Sequence, residues 1–354
     1  VAGESDHIVA ETAARIFADL ADPQTVNRAP DGTWRAPLWR ALAEAGLALA
    51  WVPETLGGAG AGIADGFEIL RMAGRYAVPV PLAETLAAGW LLSQAGIESP
   101  AGAMSVVPAL PQDRISVGPD GTLSGRARRI PYAEEAAHLA VLAEGAQPMI
   151  ALVHASQCRL DDGRNLAGEP TNAVRFDQVK PLKSAPAPAR FDTTALMLMG
   201  SVIRAMQTAG ALEAVLSLSV AYANERVAFE RPIGKFQAVQ QNLARLAGET
   251  AAALAVAASA ADTMAHASPG DDAVRLESAS AKIRCAEAAT EGAAIAHQVF
   301  GAIGFTREHV LHRFTLRMLA WRDDFGNESW WAAELGRQVA RRGADDFWPL
   351  VASR

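Results

Sequence analysis

Apolar residues recur at helical spacing through the first hundred positions. Val9, Ala13, Ile16 and Leu20 mark one face of a helix over 8–20, and the same period predicts helices over 34–45, 63–76 and 82–95. A glycine-rich loop at 57–62 interrupts them. It lacks the Gly-Lys-Ser/Thr ending of a phosphate loop and reads as a turn. From 103 to about 187 the pattern changes, and short apolar runs alternate with Pro and Gly. These runs predict strands over 114–118, 121–130, 139–143, 149–154 and 173–179, with a turn at Gly118, Pro119, Asp120 and Gly121. The Ala/Pro stretch 184–189 reads as a linker or edge segment. Beyond it, four long alanine-rich segments, 194–228, 237–266, 273–300 and 328–342, suit an antiparallel four-helix bundle. The chain divides into a helical domain at 1–103, a small β domain at 104–188 and a helical bundle at 189–354, a mainly α protein with a small β domain.

Composition narrows the class. Of 354 residues, 50% are hydrophobic and 20% charged, the balance of a globular protein with a sizeable core. A net charge of -7 without a basic cluster excludes a nucleic-acid surface. Cys158 and Cys285 have no metal-ligand spacing and suit reduced thiols in the cytoplasm better than a disulfide. No metal site is expected. No uninterrupted apolar run reaches the ~18 residues of a membrane span, and Val1 to His7 lack the basic start and apolar core of a signal peptide.

Two motifs carry the chemistry. The first is a break between long helices holding Arg226, Phe229, Pro232, Gly234, Phe236 and Gln237. An arginine fork gives two parallel hydrogen bonds to a diphosphate, an aromatic can lie against a flat ring, and a glutamine donates and accepts at once. The second follows another alanine-rich helix and holds Gln298, Phe300, Gly301, Ala302, Gly304 and Phe305. A surface corner for Arg226, and plain core roles for Phe236 and Phe300, are the alternatives. Together the two runs resemble the acyl-CoA dehydrogenase family of flavoproteins, which has Arg-x-x-Phe-Gly-x-Pro-Ile-x-x-Phe-Gln followed by Gln-x-x-Gly-Gly-x-Gly-Phe/Tyr-Thr. Glu230 and Ala302 replace two of that pattern's glycines. The stretches 39–46, 52–60 and 78–85 resemble the family's first domain, and only the middle of the chain departs from it.

The resemblance implies a helical domain, a β-barrel-like domain and a four-helix bundle, with FAD held between β domain and bundle and completed by a neighbouring subunit. It places Arg226, Phe229, Phe236, Gln237, Gln298, Phe300, Gly301, Ala302, Asn327 and Ser329 at the flavin. The β-domain half is eroded. Residues 104–111 lack the family's Thr-Glu-Pro-x-x-Gly-Ser-Asp, and Arg129 and Pro131 stand where an aromatic and a threonine should meet the flavin ring. The expected reaction removes an α proton by a carboxylate and a β hydride to flavin. The two family positions for that base hold Phe325 and Gly200, with Asp324 one residue away as a candidate and Glu328 three residues away. The run from Trp321 to Trp331 resembles subunits of heteromeric acyl-CoA dehydrogenases of bacterial sterol side-chain breakdown.

Three readings follow: an FAD-dependent acyl-CoA dehydrogenase or a subunit of a heteromeric one; a flavin oxidase or monooxygenase on the same fold; or a silent member completing a partner's FAD site. The expected partners are an acyl-CoA, an electron-transfer flavoprotein, and further subunits as a homodimer or homotetramer or as a heterotetramer with a second family member.

Overall fold

The computed structural model describes residues 4–189, 191–268 and 270–352. Five helices open the chain: α1 (Glu4–Leu20), α2 (Pro23–Arg28), α3 (Arg35–Glu44), α4 (Ile63–Arg75) and α5 (Leu82–Ser93). Asp22 caps α2 by accepting from the Thr25 amide at 2.9 Å. Helix α5 is apolar on all sides because it is buried along almost its whole length, and Glu84 and Thr85 are carried into the interior with it.

The middle of the chain folds into two four-stranded sheets. Their strands are β1 (Met104–Val107), β2 (Arg114–Val117), β3 (Leu123–Pro131), β4 (His138–Ala143), β5 (Met149–His154), β6 (Arg159–Asp161), β7 (Thr171–Val179) and β8 (Lys183–Pro186). One sheet has the order β1-β4-β5-β8 and the other β2-β3-β7-β6. The stretch read as linker or edge segment contains the edge strand β8, where a proline costs no ladder bond. Strand β1, hidden by the prolines after it, pairs parallel with β4.

The remainder is helical: α6 (Thr193–Glu225), a two-strand hairpin of β9 (Val227–Ala228) and β10 (Arg231–Pro232), then α7 (Gln237–His266), α8 (Asp272–Phe300), α9 (Leu311–Trp321), α10 (Glu328–Arg342) and α11 (Phe347–Ala352). Asp192 caps α6 through the Thr194 and Ala195 amides at 2.8 and 3.2 Å. Helices α6, α7 and α8 pack on one another, α9 lies across α6 and α8, and α10 packs on α8. Helix α9 has a strong apolar face that the four-segment reading passed over.

Helix α6 is the axis of the molecule. It meets α4 at two glycines. A Cβ on Gly74 would lie 2.0 Å from the Gln207 carbonyl oxygen, and one on Gly210 would lie 1.9 Å from that of Arg71. Backbone therefore touches backbone, and the first domain sits directly on the bundle. Arg71 Nη1 bridges the same junction to Glu213 at 2.7 Å.

The expectation that no segment is apolar enough to span a membrane needs correction. Helices α6 and α7 both pass by length and hydropathy, because alanine raises the average without forming an unbroken run of large side chains. The apolar window of α6 is entirely buried, so its composition is that of a core helix, whereas only 28% of the α7 window is buried within this chain.

Candidate functional site

The two sequence motifs come together at one end of the bundle. The β9–β10 hairpin turns over Phe229 and Glu230, both at positive φ (51° and 65°), which any glycine at Glu230 would have met without strain. Phe229 is 89% exposed. It meets Phe236 edge-on, with ring centroids 6.2 Å apart, and Arg231 lies 4.3 Å over the other ring. The Arg226 side chain is exposed and its guanidinium has no partner among the described residues. A cleft of about 330 Å³ opens here, lined by Phe229, Ile233, Phe236, Val239, Asn242 and Gln298. Gln237, Gln298, Gly301 and Ala302 are also exposed. Phe300 is not: it is buried, stacked on Tyr222 at 4.3 Å with His309 at 4.5 Å. Its side chain closes the core beneath the motif and presents no ring to a ligand.

The other candidate region is the loop between α9 and α10. Phe325 has φ 55° and is buried, and its ring lies on the bare backbone of Gly200 in α6, where a Cβ would sit 2.1 Å from the ring carbon. The two positions at which the resemblance seeks a base are thus neighbours in space, and each is shaped to the other. The Phe325 amide donates to the Ala109 carbonyl at 2.9 Å, and the Trp331 indole donates to the Phe325 carbonyl at 3.0 Å. Asp323 pairs with Arg129 of β3 at 3.1 Å. Pro131, at the threonine position, has a carbonyl that accepts from the Ser105 hydroxyl at 2.7 Å. The loop is therefore stapled to the β domain through Phe325 and Arg129, two of the residues that depart from the family pattern.

Asp324 is buried and held by Arg204 at 3.0 Å. The same guanidinium reaches Glu84 at 2.7 Å and the Gln207 side-chain oxygen at 2.6 Å. Burial pulls the Arg204 guanidinium toward losing its proton, but Glu84 and Asp324 outweigh it and hold it above the ordinary arginine value. Burial pushes Glu84 up against the pull of Arg204. Lys282 in α8, hydrogen-bonded to the Trp321 carbonyl, is pushed down to about 7 by burial, against the pull of Asp324. A second buried pair, Arg317 with Glu169 at 2.7 Å, ties α9 to the β domain. Burial alone would raise Glu169; Arg317, Asn165 and Tyr132 hold it below the usual carboxylate range. Of these residues only Asp324 was singled out from sequence, and as a base rather than as a counter-charge. The available signal was a lone Arg204 or Glu84 in an otherwise apolar helix, which burial permits only with a counter-charge.

Asn327, exposed, caps α10 through the Trp330 amide at 2.9 Å, and Glu328 pairs with Arg322. Beside this helix start, a cavity of about 210 Å³ lies among Pro111, Thr193, Thr194, Met197 and Trp330. As a test of fit, the hairpin end offers a free guanidinium, exposed rings and an open cleft to a flavin diphosphate. The β-domain end offers the Arg129–Asp323 ion pair and a Pro131 carbonyl already bonded to Ser105, at positions where the resemblance expects an aromatic and a threonine. Among the described residues no group of His, Cys, Asp and Glu could hold a metal ion.

Comparisons with known proteins agree with the architecture. The family model for the acyl-CoA dehydrogenase N-terminal domain matches residues 3–99, and that for the C-terminal domain matches 193–328. The chain is 31% identical over 349 residues to the acyl-CoA dehydrogenase IpdE2 of Mycobacterium tuberculosis, covering 98% of each. It is 29% identical to the acyl-CoA dehydrogenase FadE27 of the same organism, over 87% of this chain and 89% of that one. Among solved structures, a chain of the ChsE4–ChsE5 complex from M. tuberculosis superposes with a TM-score of 0.86 at 23% identity, over 97% and 99% of the two chains. A chain of the Tcur3481–Tcur3483 steroid acyl-CoA dehydrogenase superposes with a TM-score of 0.84 at 26% identity, over 96% and 98%. The chain belongs to the acyl-CoA dehydrogenase family, FAD-dependent oxidoreductases that act on CH–CH bonds.

Proposed function

We propose that this chain is the base-less subunit of a heteromeric acyl-CoA dehydrogenase, completing the FAD site of an unlike partner while its own centre stays closed. The observation that carries the reading is the interlock of Phe325 with Gly200 beneath a loop stapled to Ala109 and Arg129. FAD, when bound, supplies the hydride acceptor. Arg226 contributes a fork for diphosphate oxygens, Phe229 and Phe236 offer ring faces, and Gln237 and Gln298 offer amides, while the exposed Gly301 and Ala302 present small residues beside them. Asn327 serves as a helix cap and Asp324 as a counter-charge, not as a base. The α proton of the substrate is taken by a carboxylate of the partner subunit. The Tcur3481–Tcur3483 steroid enzyme and the ChsE4–ChsE5 complex support a heteromeric assembly, and the first of them a steroid-type acyl-CoA. A cytoplasmic setting, with an electron-transfer flavoprotein reoxidising the assembly, completes the reading. A flavin oxidase or monooxygenase needs an intact ring-binding half and is disfavoured by Arg129 and Pro131.

The test is a visible spectrum. The chain purified alone should be colourless, and the same chain co-expressed with a base-bearing second family member should carry flavin that an acyl-CoA bleaches. Flavin in the isolated chain, bleached by an acyl-CoA, would overturn the proposal. Phe325→Glu in the isolated chain should not create dehydrogenase activity, because the ring-binding half is closed as well.

A further inference from the structure

Strand register sets four arginines in one line across the whole of the second sheet. Arg114 of β2 lies opposite Arg126 of β3, Arg126 opposite Arg175 of β7, and Arg175 opposite Arg159 of β6. All four are exposed on the outer face. Like charges directly opposite on adjacent strands repel and weaken a sheet, so such a row needs anions. Arg114 has its own, Glu144 at 2.7 Å. The other three share one carboxylate, Asp161, at 3.1 Å from Arg175, 3.6 Å from Arg126 and 3.8 Å from Arg159. Only the Arg175 contact is short. Asp177 stands at the rim and makes no ion pair among the described residues. A cavity of about 440 Å³ opens over the row, lined by Arg126, Arg159, Arg175 and Gln157, with Phe176 in its floor. None of the residues of the flavin-motif hairpin lines it.

We propose that this arginine row is a binding site for the diphosphate of a phosphate-bearing small molecule, separate from the flavin cleft. Neighbouring strands are about 4.8 Å apart, so adjacent guanidinium forks can each engage one phosphoryl group of a diphosphate, giving paired charge-assisted hydrogen bonds. The cavity is of small-molecule size. Asp161 holds the row in place without ligand and competes with the incoming anion. A free nucleotide and the nucleotide end of a CoA thioester share this chemistry.

Calorimetric titration of the purified protein with inorganic pyrophosphate, ADP and CoA at matched ionic strength tests the proposal. Pyrophosphate should bind saturably, weaken about tenfold or more in Arg126→Ala/Arg175→Ala, and tighten in Asp161→Asn. Tighter binding of ADP than of CoA assigns a free nucleotide, and the reverse assigns the CoA end. The double variant removes like-charge repulsion, so its Tm should not fall, which separates lost binding from lost folding. An absence of saturable binding by pyrophosphate at millimolar concentration, equal binding by the double variant, or a response that sodium chloride of the same ionic strength reproduces would each overturn the assignment.

Discussion

The hairpin around Arg226 and the loop around Phe325 both join helices of the bundle and both hold a phenylalanine at positive φ, yet they differ in exposure and in how their polar groups are used. The hairpin leaves a guanidinium without a partner and a phenylalanine 89% exposed. The loop buries a phenylalanine, engages its backbone with Ala109 and Trp331, and neutralises its charges against Arg204 and Arg129. A surface that keeps exposed aromatic and cationic groups without internal use is built for something outside the chain. A loop with nearly every polar group satisfied from within has nothing left to offer a substrate. On the proposed function, one polypeptide retains the half of a flavoenzyme site that faces a neighbour and fills in the half that faces inward.

The sharpest way to break this contrast is at Arg204. Arg204→Ala strands Glu84 and Asp324 as buried, unpaired acids and should cost about 3–5 kcal/mol, read as a lower urea midpoint at unchanged m. A loss below ~1 kcal/mol would mean that the loop is not held by this triad. Next comes the interlock. Gly200→Ala drives a methyl into the Phe325 ring and should cost about 1–3 kcal/mol, largely restored by adding Phe325→Ala; additive effects in the double-mutant cycle would show that the two positions do not touch. At the hairpin the expectation reverses. Arg226→Ala should leave folding within about 0.5 kcal/mol and weaken flavin retention in the assembled complex by about 1.5–3 kcal/mol. Unchanged flavin affinity would remove Arg226 from the site.

A further effect concerns pH. Burial holds the Lys282 amine down to about 7 in the folded chain, below the ordinary lysine value of about 10.4. Between these values the unfolded chain binds more protons, so stability should rise with pH across that window, and the penalty should be complete below it. Lys282→Met should flatten the rise in Tm between pH 7 and 9 relative to the parent; parallel curves would place the titration elsewhere.

The helical thirds of the fold were legible because their periodicity is strong: α4 and α7 begin where expected, at Ile63 and Gln237. Strand β8 was ambiguous because its prolines imitate a linker, and β1 because four residues give too short a pattern. At the candidate site, the motif residues were legible and their neighbours were not. Phe300 matches a flavin motif by type and spacing, but only the Tyr222 and His309 rings around it reveal a core residue. Glu84 and Asp324 lie 120 residues to either side of Arg204, so no local window could have joined them. That neither Gly200 nor Phe325 can act as a base was visible one position at a time; that the two residues fit one another was not.

That fit couples the two positions. A carboxylate placed at 325 alone would leave an empty space over Gly200, and one placed at 200 alone would collide with the Phe325 ring. Each single change costs packing before any carboxylate can act, so a base at either position requires its neighbour to change with it.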